Sequence, residues 1–235
     1  MIRTIIFDLD DTLYRELDFV YGAFREVCKY ISNKYNKDEE RLYQETIFIL
    51  NKFGRGKVLN MLCDNNGIKE DISFLVKLYR EAMPSLKLYE DAEQILMEFK
   101  GQGLKNISQK QQNLYNTGII TDGKASVQWN KIKALGLKNR VDKIIVTDDY
   151  GLEFCKPNEF SYREMFKYFN CQAEECVYVG DNPNKDFIGA RRVGMHTVRI
   201  IREVGDHMKT LLNEEYEGDY TIKDLSQLKY IVELQ

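Results

Sequence analysis

Two hydrophobic periodicities divide the chain. A short apolar run at residues 2–7 is followed, between about residues 14 and 84, by apolar residues that recur three and four positions apart. One such stripe consists of Val20, Ala23, Phe24, Val27 and Ile31, and three more stripes follow it. This spacing predicts four consecutive amphipathic helices with no strand between them. We therefore expect a helical insertion directly after the first strand.

After residue 88, short apolar runs alternate with helical stretches. The runs are continuous, as in "GIIT", "KIIVT" and "CVYVG", which is typical of strands that are buried on both faces. The predicted strands are Arg3–Asp8, Gly118–Thr121, Lys143–Thr147, Cys176–Val179 and Thr197–Ile201, and the predicted helices are 91–100, 124–135, 158–169, 185–193 and 224–234. This alternation predicts an α/β fold with a doubly wound, parallel, Rossmann-like sheet.

The two patterns predict two domains. Residues 1–13 and 89–235 form the Rossmann-like core, and residues 14–88 form an inserted four-helix domain.

With 34 basic and 37 acidic residues the net charge is −3, and without a long basic run we expect no nucleic-acid partner. No apolar run is long enough to cross a membrane, and the first residues lack a secretory signal, so we expect a cytoplasmic protein. Five scattered cysteines without a CxxC pair favour structural thiols over a zinc site.

The stretch "FDLDDTLY" places Asp8 and Asp10 at the end of the first strand. Residues two apart on a strand point the same way, so both carboxylates can face one reacting centre. One carboxylate can attack as a nucleophile while the other moves protons. A polar cap on the following helix is the alternative for an isolated pair of this kind.

A third acidic position follows another buried strand, in "VYVGDNPNKD". Asp181 ends that strand, and Asp186 lies five residues further on. Carboxylate oxygens suit Mg²⁺, so Asp181 can join Asp8 as a ligand. Asp186 can hold a metal-bound water or orient Lys156. An Asn-Pro turn with capping acids accounts for Asp186 equally well, but not for Asp181.

Thr121 and Lys156 complete the set of polar residues near strand ends. Thr121 in "GIITDG" offers a hydroxyl and nearby backbone N–H groups that can cradle an anionic oxygen. Lys156 precedes Pro157 at a predicted helix start, where its charge can meet a phosphate or the carboxylates. Taken singly, these residues are equally well explained by an ordinary turn and a solvated lysine.

Together, the order DxD, Thr, Lys-Pro and GDxxxxD resembles the haloacid dehalogenase-like (HAD) hydrolase superfamily over essentially the whole chain. The helical insertion looks like the cap of phosphatases of the phosphoglycolate phosphatase and β-phosphoglucomutase type. The resemblance implies Mg²⁺-dependent hydrolysis of a small phosphorylated metabolite through an aspartyl-phosphate.

The resemblance also implies a role for each residue. Asp8 is the nucleophile, and Asp10 is the acid for the leaving group and then the base for water. Thr121 holds the phosphoryl group, and Lys156 stabilises the negative charge around Asp8. The metal residues are Asp8, Asp10 through its backbone carbonyl, Asp181, and Asp186 in support. Asp10 also favours phosphoryl transfer over carbon–halogen hydrolysis, because the dehalogenases lack an Asp there.

Several expectations are more open. Arg55 and Lys57, at the loop tip "FGRGKVL", are predicted to bind substrate, although a solvated turn explains them equally well. Asp122 replaces the Asn often found in the family and is expected to bind substrate through its backbone. The amide-rich segment 105–116 is either a surface excursion or a disturbance of the strand before Thr121. A phosphomutase, and a binding or regulatory protein without turnover, are the alternative functions.

Overall fold

Six parallel strands form one sheet. The computed structural model describes residues 1–100 and 115–234. Within these residues the strands are β1 (Thr4–Phe7), β2 (Asn116–Thr121), β3 (Lys143–Val146), β4 (Cys176–Gly180), β5 (His196–Ile200) and β6 (Tyr220–Ile222). Their order in the sheet is β3-β2-β1-β4-β5-β6. The predicted parallel α/β sheet is confirmed, and β6 is an additional strand that the sequence pattern did not predict.

The connections of this sheet place a crevice at β1. The chain runs from β1 outward through β2 and β3, and it then crosses back to β4, on the other side of β1. In a doubly wound sheet, ligands bind beyond the carboxyl ends of the strands where the order reverses. Phe7, the last residue of β1, pairs with Ile119 on one side and Val179 on the other. Side chains that follow β1, β2 and β4 therefore meet at this point.

Helices supply the crossovers that parallel strands require. In the unit that contains the sheet, α5 (Glu90–Phe99), α6 (Ala125–Ala134), α7 (Phe160–Phe169) and α8 (Phe187–Arg192) lie between strands, and α9 (Leu228–Leu234) follows the last strand. Tyr162 and Met165 of α7 are fully buried in an apolar cluster with the strands. The Tyr162 hydroxyl donates to the backbone carbonyl of Asp186 at 3.0 Å. The core packing thus also supports the segment that carries Asp186.

The helical insertion is a compact unit of its own. Unit 1 comprises residues 1–16 and 87–235, and unit 2 comprises residues 17–86. The helices of the insertion are α1 (Glu16–Tyr35), α2 (Glu39–Phe53), α3 (Val58–Asn66) and α4 (Ile72–Glu81). The stripe predicted on α1 packs against apolar residues of the other three helices in one buried cluster, which includes Val20, Val27, Leu42, Ile49, Leu62 and Leu75. The use of this unit as a cap stays a prediction.

The chain leaves and re-enters unit 1 at one place. Tyr14 forms an antiparallel bridge with Leu88, and the backbone N–H of Tyr89 donates to the carbonyl of Leu13 at 2.9 Å. The two segments that flank the insertion are therefore hydrogen-bonded neighbours.

Two further expectations concern the rest of the chain. Residues 105–114 of the amide-rich segment lie outside the described residues, whereas β2 begins at Asn116 and extends to Thr121. Across the described ranges, no helix is long and apolar enough to cross a membrane.

Candidate active site

Asp8 and Lys156 form a buried ion pair at the centre of the sheet edge. Asp8 directly follows β1, and its backbone N–H donates to the Val179 carbonyl at 2.8 Å. Lys156 Nζ lies 2.6 Å from Asp8 Oδ1, 2.8 Å from Asp186 Oδ1 and 2.8 Å from the Tyr178 hydroxyl. Although burial works to lower it, the charges of Asp186 and Asp8 hold the pKa of Lys156 well above its ordinary value. Lys156 is therefore a permanent cation that joins two of the predicted residues.

Three buried carboxylates converge at this point. Oxygen atoms of Asp8, Asp181 and Asp186 all lie within 4.8 Å of one another. Burial raises the pKa of Asp8 to about 7, with the Lys156 charge opposing this shift and the Asp186 charge adding to it. Burial and the charges of Asp186 and Asp8 raise the pKa of Asp181 well above its ordinary range. The cluster has more negative charge than Lys156 offsets.

This donor set fits a divalent cation with a preference for oxygen ligands. Asp186 is already well satisfied, because its Oδ1 accepts from Lys156 and its Oδ2 accepts from the backbone N–H of Asn182 at 2.9 Å. Asp8 and Asp181 are left as the two carboxylates best placed for direct coordination. The geometry thus brings together three of the predicted metal residues.

The close approach of Asp186 explains why β4 ends in a glycine, Gly180. A Cβ atom at this position would lie 2.5 Å from Asp186 Oδ2 and 2.7 Å from Asp186 Cγ. Any side chain at position 180 would displace the Asp186 carboxylate. The glycine therefore allows Asp186 to pack directly beneath the strand end.

Asp10 lies in a polar environment separate from that of Asp8, with different hydrogen-bond donors. Its Oδ1 accepts from the Tyr14 hydroxyl at 2.6 Å and from Lys131 Nζ at 2.7 Å, and its Oδ2 accepts from Gln128 Nε2 at 2.9 Å. Although burial works to raise it, the charge of Lys131 and these hydrogen bonds hold the pKa of Asp10 below its ordinary value. Burial and the Asp10 charge raise the pKa of Tyr14 well above its ordinary value, so its hydroxyl keeps its proton and donates.

Thr121 ends β2 beside Asp10. Its hydroxyl oxygen accepts from the same Gln128 amide nitrogen at 2.5 Å. Because the amide supplies this hydrogen, the hydroxyl hydrogen of Thr121 can be donated elsewhere. The side chain is buried, and its contact with an anionic oxygen stays a prediction.

The Asp122 carboxylate is held by the neighbouring loops. Its Oδ1 accepts from the Thr147 hydroxyl at 2.8 Å and from the backbone N–H of Lys156 at 3.1 Å, and Lys185 Nζ lies 3.1 Å from its Oδ2. Although burial works to raise it, the charges of Lys156 and Lys185 hold the pKa of Asp122 below its ordinary value. The extra negative charge at this position is thus offset by cations. Substrate binding by Asp122 stays a prediction.

Arg55 and Lys57 lie in a single exposed 3-10 turn, Arg55–Lys57, between α2 and α3. They belong to unit 2, whereas the carboxylate cluster belongs to unit 1. Their role in substrate binding stays a prediction.

The sequence pattern did not reveal Gln128 and Lys131. They are one helical turn apart on α6, the helix that follows Thr121, and both are nearly fully buried. Spacing of three residues places both side chains on one face of a helix. That spacing, directly after the strand end that carries Thr121, is the signal that identifies them.

Comparison with known proteins gives a consistent result. The profile of a family described as haloacid dehalogenase-like hydrolase matches residues 5–200. The chain is 33% identical to a glyceraldehyde 3-phosphate phosphatase of Methanocaldococcus jannaschii, over 99% of this chain and 97% of that protein. It is 28% identical to a protein of the same name from Pyrococcus furiosus, over 99% and 93% of the two chains.

Solved structures show the same fold. A HAD phosphatase from Thermococcus onnurineus superposes with a TM-score of 0.59 at 23% identity, over 98% of both chains. A 2-haloacid dehalogenase from Pseudomonas syringae superposes with a TM-score of 0.64 at 20% identity, over 100% and 99% of the two chains. The sheet order, the residues that meet at its edge and the family match lead to one conclusion: the chain belongs to the haloacid dehalogenase-like hydrolase family.

Proposed function

We propose that this protein is a Mg²⁺-dependent phosphatase that hydrolyses a small phosphorylated metabolite through a phosphate ester on Asp8. The observation that carries the proposal is the buried Asp8 carboxylate, paired with Lys156 at 2.6 Å and placed within 4.8 Å of Asp181 and Asp186. Phosphoryl transfer depends chiefly on positioning and on stabilising charge, and this arrangement supplies both.

In the first step, a carboxylate oxygen of Asp8 attacks the phosphorus atom and the bond to the leaving oxygen breaks. Asp10 in its carboxylic acid form gives its proton to that leaving oxygen. The Thr121 hydroxyl donates to a phosphoryl oxygen, and Lys156 remains ion-paired with Asp8.

In the second step, the Asp10 carboxylate takes a proton from a water molecule. The resulting hydroxide equivalent attacks the phosphorus atom, and the bond between phosphorus and Asp8 breaks. Inorganic phosphate leaves, and Asp10 holds the proton for the next turnover.

Asp8, Asp181 and the backbone carbonyl of Asp10 would hold the metal ion, with Asp186 in support. When bound, Mg²⁺ supplies the positive charge that offsets these carboxylates and the phosphoryl oxygens. Hard oxygen donors and a metal that retains several waters suit this role.

For the substrate we propose a phosphorylated three-carbon sugar of the glyceraldehyde 3-phosphate class. The support is the name shared by relatives that align with almost the full chain. We further propose that residues 17–86 act as a cap, that Arg55 and Lys57 contact the substrate, and that the protein works in the cytoplasm, where such metabolites are handled.

The test is phosphate release from a panel of phosphorylated metabolites that includes glyceraldehyde 3-phosphate, with Mg²⁺ and with a chelator. We expect release that requires Mg²⁺ and that falls by more than about 10³-fold in Asp8→Asn. Asp149→Asn, an exposed carboxylate after β3, is the matched control and should retain activity. Undiminished release by a folded Asp8→Asn protein would contradict the proposal.

The same assay separates hydrolysis from a mutase reaction. A phosphatase releases one phosphate per substrate consumed, whereas a mutase returns the phosphoryl group to an organic acceptor. Analysis of both products would identify substrate isomerisation without phosphate release, which would favour the mutase.

A further inference from the structure

Asp10 is held by three hydrogen-bond donors from two separate segments of the chain. Tyr14 follows β1, whereas Gln128 and Lys131 lie on α6, which follows β2. The three donors contact the two carboxylate oxygens at 2.6, 2.9 and 2.7 Å, respectively. A carboxylate with donors on both oxygens has little freedom to rotate.

The donors surround Asp10 from its buried side. The Lys131 side chain is 3% exposed, and the Tyr14 and Gln128 side chains are also buried, whereas the Asp10 side chain is 22% exposed. Lys131 also lies 3.5 Å from Glu16, so two carboxylates fix its position. The more accessible Asp10 carboxylate is therefore held by hydrogen bonds from buried side chains.

Gln128 connects this group to the residue beside it. Its amide nitrogen donates both hydrogens, one to Asp10 at 2.9 Å and one to Thr121 at 2.5 Å. A single side chain therefore sets the distance between the proposed proton-transfer group and the proposed phosphoryl-binding hydroxyl.

We propose that Tyr14, Gln128 and Lys131 are positioning residues that hold Asp10 at the distance from Thr121 needed to transfer a proton to the leaving group and from water. The inference rests on the proposed phosphatase function and deepens it. These residues act through Asp10, not on the substrate.

The test compares substrates that need this proton with one that does not. Glyceraldehyde 3-phosphate and glycerol 3-phosphate release an alkoxide, which must be protonated as it leaves. 4-Nitrophenyl phosphate releases a stabilised phenolate, which leaves without a proton. Because kcat/KM reports the steps up to formation of the phosphorylated Asp8, it isolates the first transfer from the later attack of water.

For Lys131→Met we expect kcat/KM for the alkyl phosphates to fall by about 10²-fold or more, and that for 4-nitrophenyl phosphate to fall less than about 10-fold. Asp10→Asn should show the same selectivity. Because the attack of water also needs Asp10, the variant should release a burst of nitrophenolate equal to the enzyme concentration before a slow steady state. Lys131→Arg, which keeps the ion pair, should restore much of the alkyl phosphate activity.

Two further variants guard against a fold defect. Tyr14→Phe removes only a hydroxyl and should show the same selectivity at smaller size. Lys133→Met, an exposed lysine of the same helix, should behave like the wild type. Thermal unfolding of each variant checks that the protein compared is folded.

An equal fractional loss on both kinds of substrate in folded Lys131→Met and Tyr14→Phe, or no loss in either, would overturn the positioning role while leaving the phosphatase proposal intact. Absence of phosphate release by the wild type, or full activity of Asp8→Asn, would overturn the phosphatase proposal itself and this inference with it.

Discussion

Asp8 and Asp10 are separated by one residue, but their surroundings differ in kind. Asp8 shares one lysine, Lys156, with Asp186 and lies close to a third carboxylate. Asp10 has a lysine and two neutral donors. Burial dominates at Asp8 and raises its pKa to about 7, whereas at Asp10 the lysine and the hydrogen bonds outweigh burial and hold the pKa low.

This contrast separates two tasks along one strand end. The cluster of Asp8, Asp181 and Asp186 has an excess of negative charge, which a divalent cation can offset. The negative charge of Asp10 is offset by Lys131 and by two neutral donors of the protein, which hold its carboxylate in one orientation. The surroundings of Asp8 and those of Asp10 can therefore be disturbed by separate substitutions.

The largest effect on stability is expected for Lys156→Met. It leaves Asp8 and Asp186 buried without their cation, which costs about 3–5 kcal/mol when one partner of a buried pair is removed. Urea unfolding at pH 8 in chelator measures this cost. Lys124→Met, which breaks a more exposed pair with Asp148, should cost about 1 kcal/mol or less. Equal stability of the two variants would contradict the described role of Lys156.

A smaller effect is expected for Gly180→Ala, and it should be confined to the cluster of Asp8, Asp181 and Asp186. The new methyl group displaces Asp186, so Mg²⁺ affinity should fall by about 10–100-fold, the usual cost of losing a supporting contact to a metal site. Isothermal titration of the folded variant measures affinity without turnover. Gly56→Ala, in unit 2, controls for the loss of a glycine where a methyl group meets no neighbouring atom. Unchanged affinity in Gly180→Ala would show that Asp186 does not support the metal.

The pH dependence of the metal-free protein sharpens the contrast further. The pKa of Asp8 and that of Asp181 are higher in the folded state than in the unfolded chain. At pH values between the unfolded and the folded pKa of each group, the folded state therefore binds more protons. Stability without metal should therefore decrease as the pH rises through about 7. Thermal unfolding between pH 5.5 and 8 should show a fall of the midpoint in chelator and a smaller fall, or none, with Mg²⁺. Asp181→Asn should reduce the decline, and a decline of unchanged size in this variant would contradict the assignment.

The smallest effect on the kinetic constants is expected for substitutions of Arg55 and Lys57 in unit 2. Arg55→Ala and Lys57→Ala should raise KM several-fold with kcat unchanged, because the substrate contacts proposed for them would be the same in the ground and transition states. Lys52→Ala, on the preceding helix, is the control. Steady-state kinetics with glyceraldehyde 3-phosphate measures the split, and a fall in kcat alone would contradict it.

The strand ends were predictable because each has a strong local signal. Asp8, Thr121 and Asp181 each follow a continuous apolar run, and parallel strands bring such positions together at one edge. The family and the parallel α/β fold predicted from these positions are both confirmed.

Other features have no comparable local signal. Strand β6 has three residues, of which only Ile222 is buried, so its pattern is too short to distinguish from a loop. Gln128 and Lys131 are polar residues on a helix, where polar residues usually face solvent. Both side chains contact Asp10, which is more than a hundred residues away in the chain.

The paired segments at Leu13–Tyr14 and Leu88–Tyr89 have a consequence for how the chain folds. Pairing of β1 with β2 joins Thr4 to Asn116, and the entropy lost on closing such a loop grows with the logarithm of its length. The insertion buries its own apolar cluster through contacts that are local in sequence. If it forms first and its ends meet at the Tyr14–Leu88 bridge, the loop that remains to be closed is shorter by the whole length of the insertion. A segment that interrupts the sheet in the sequence can thus accelerate its assembly.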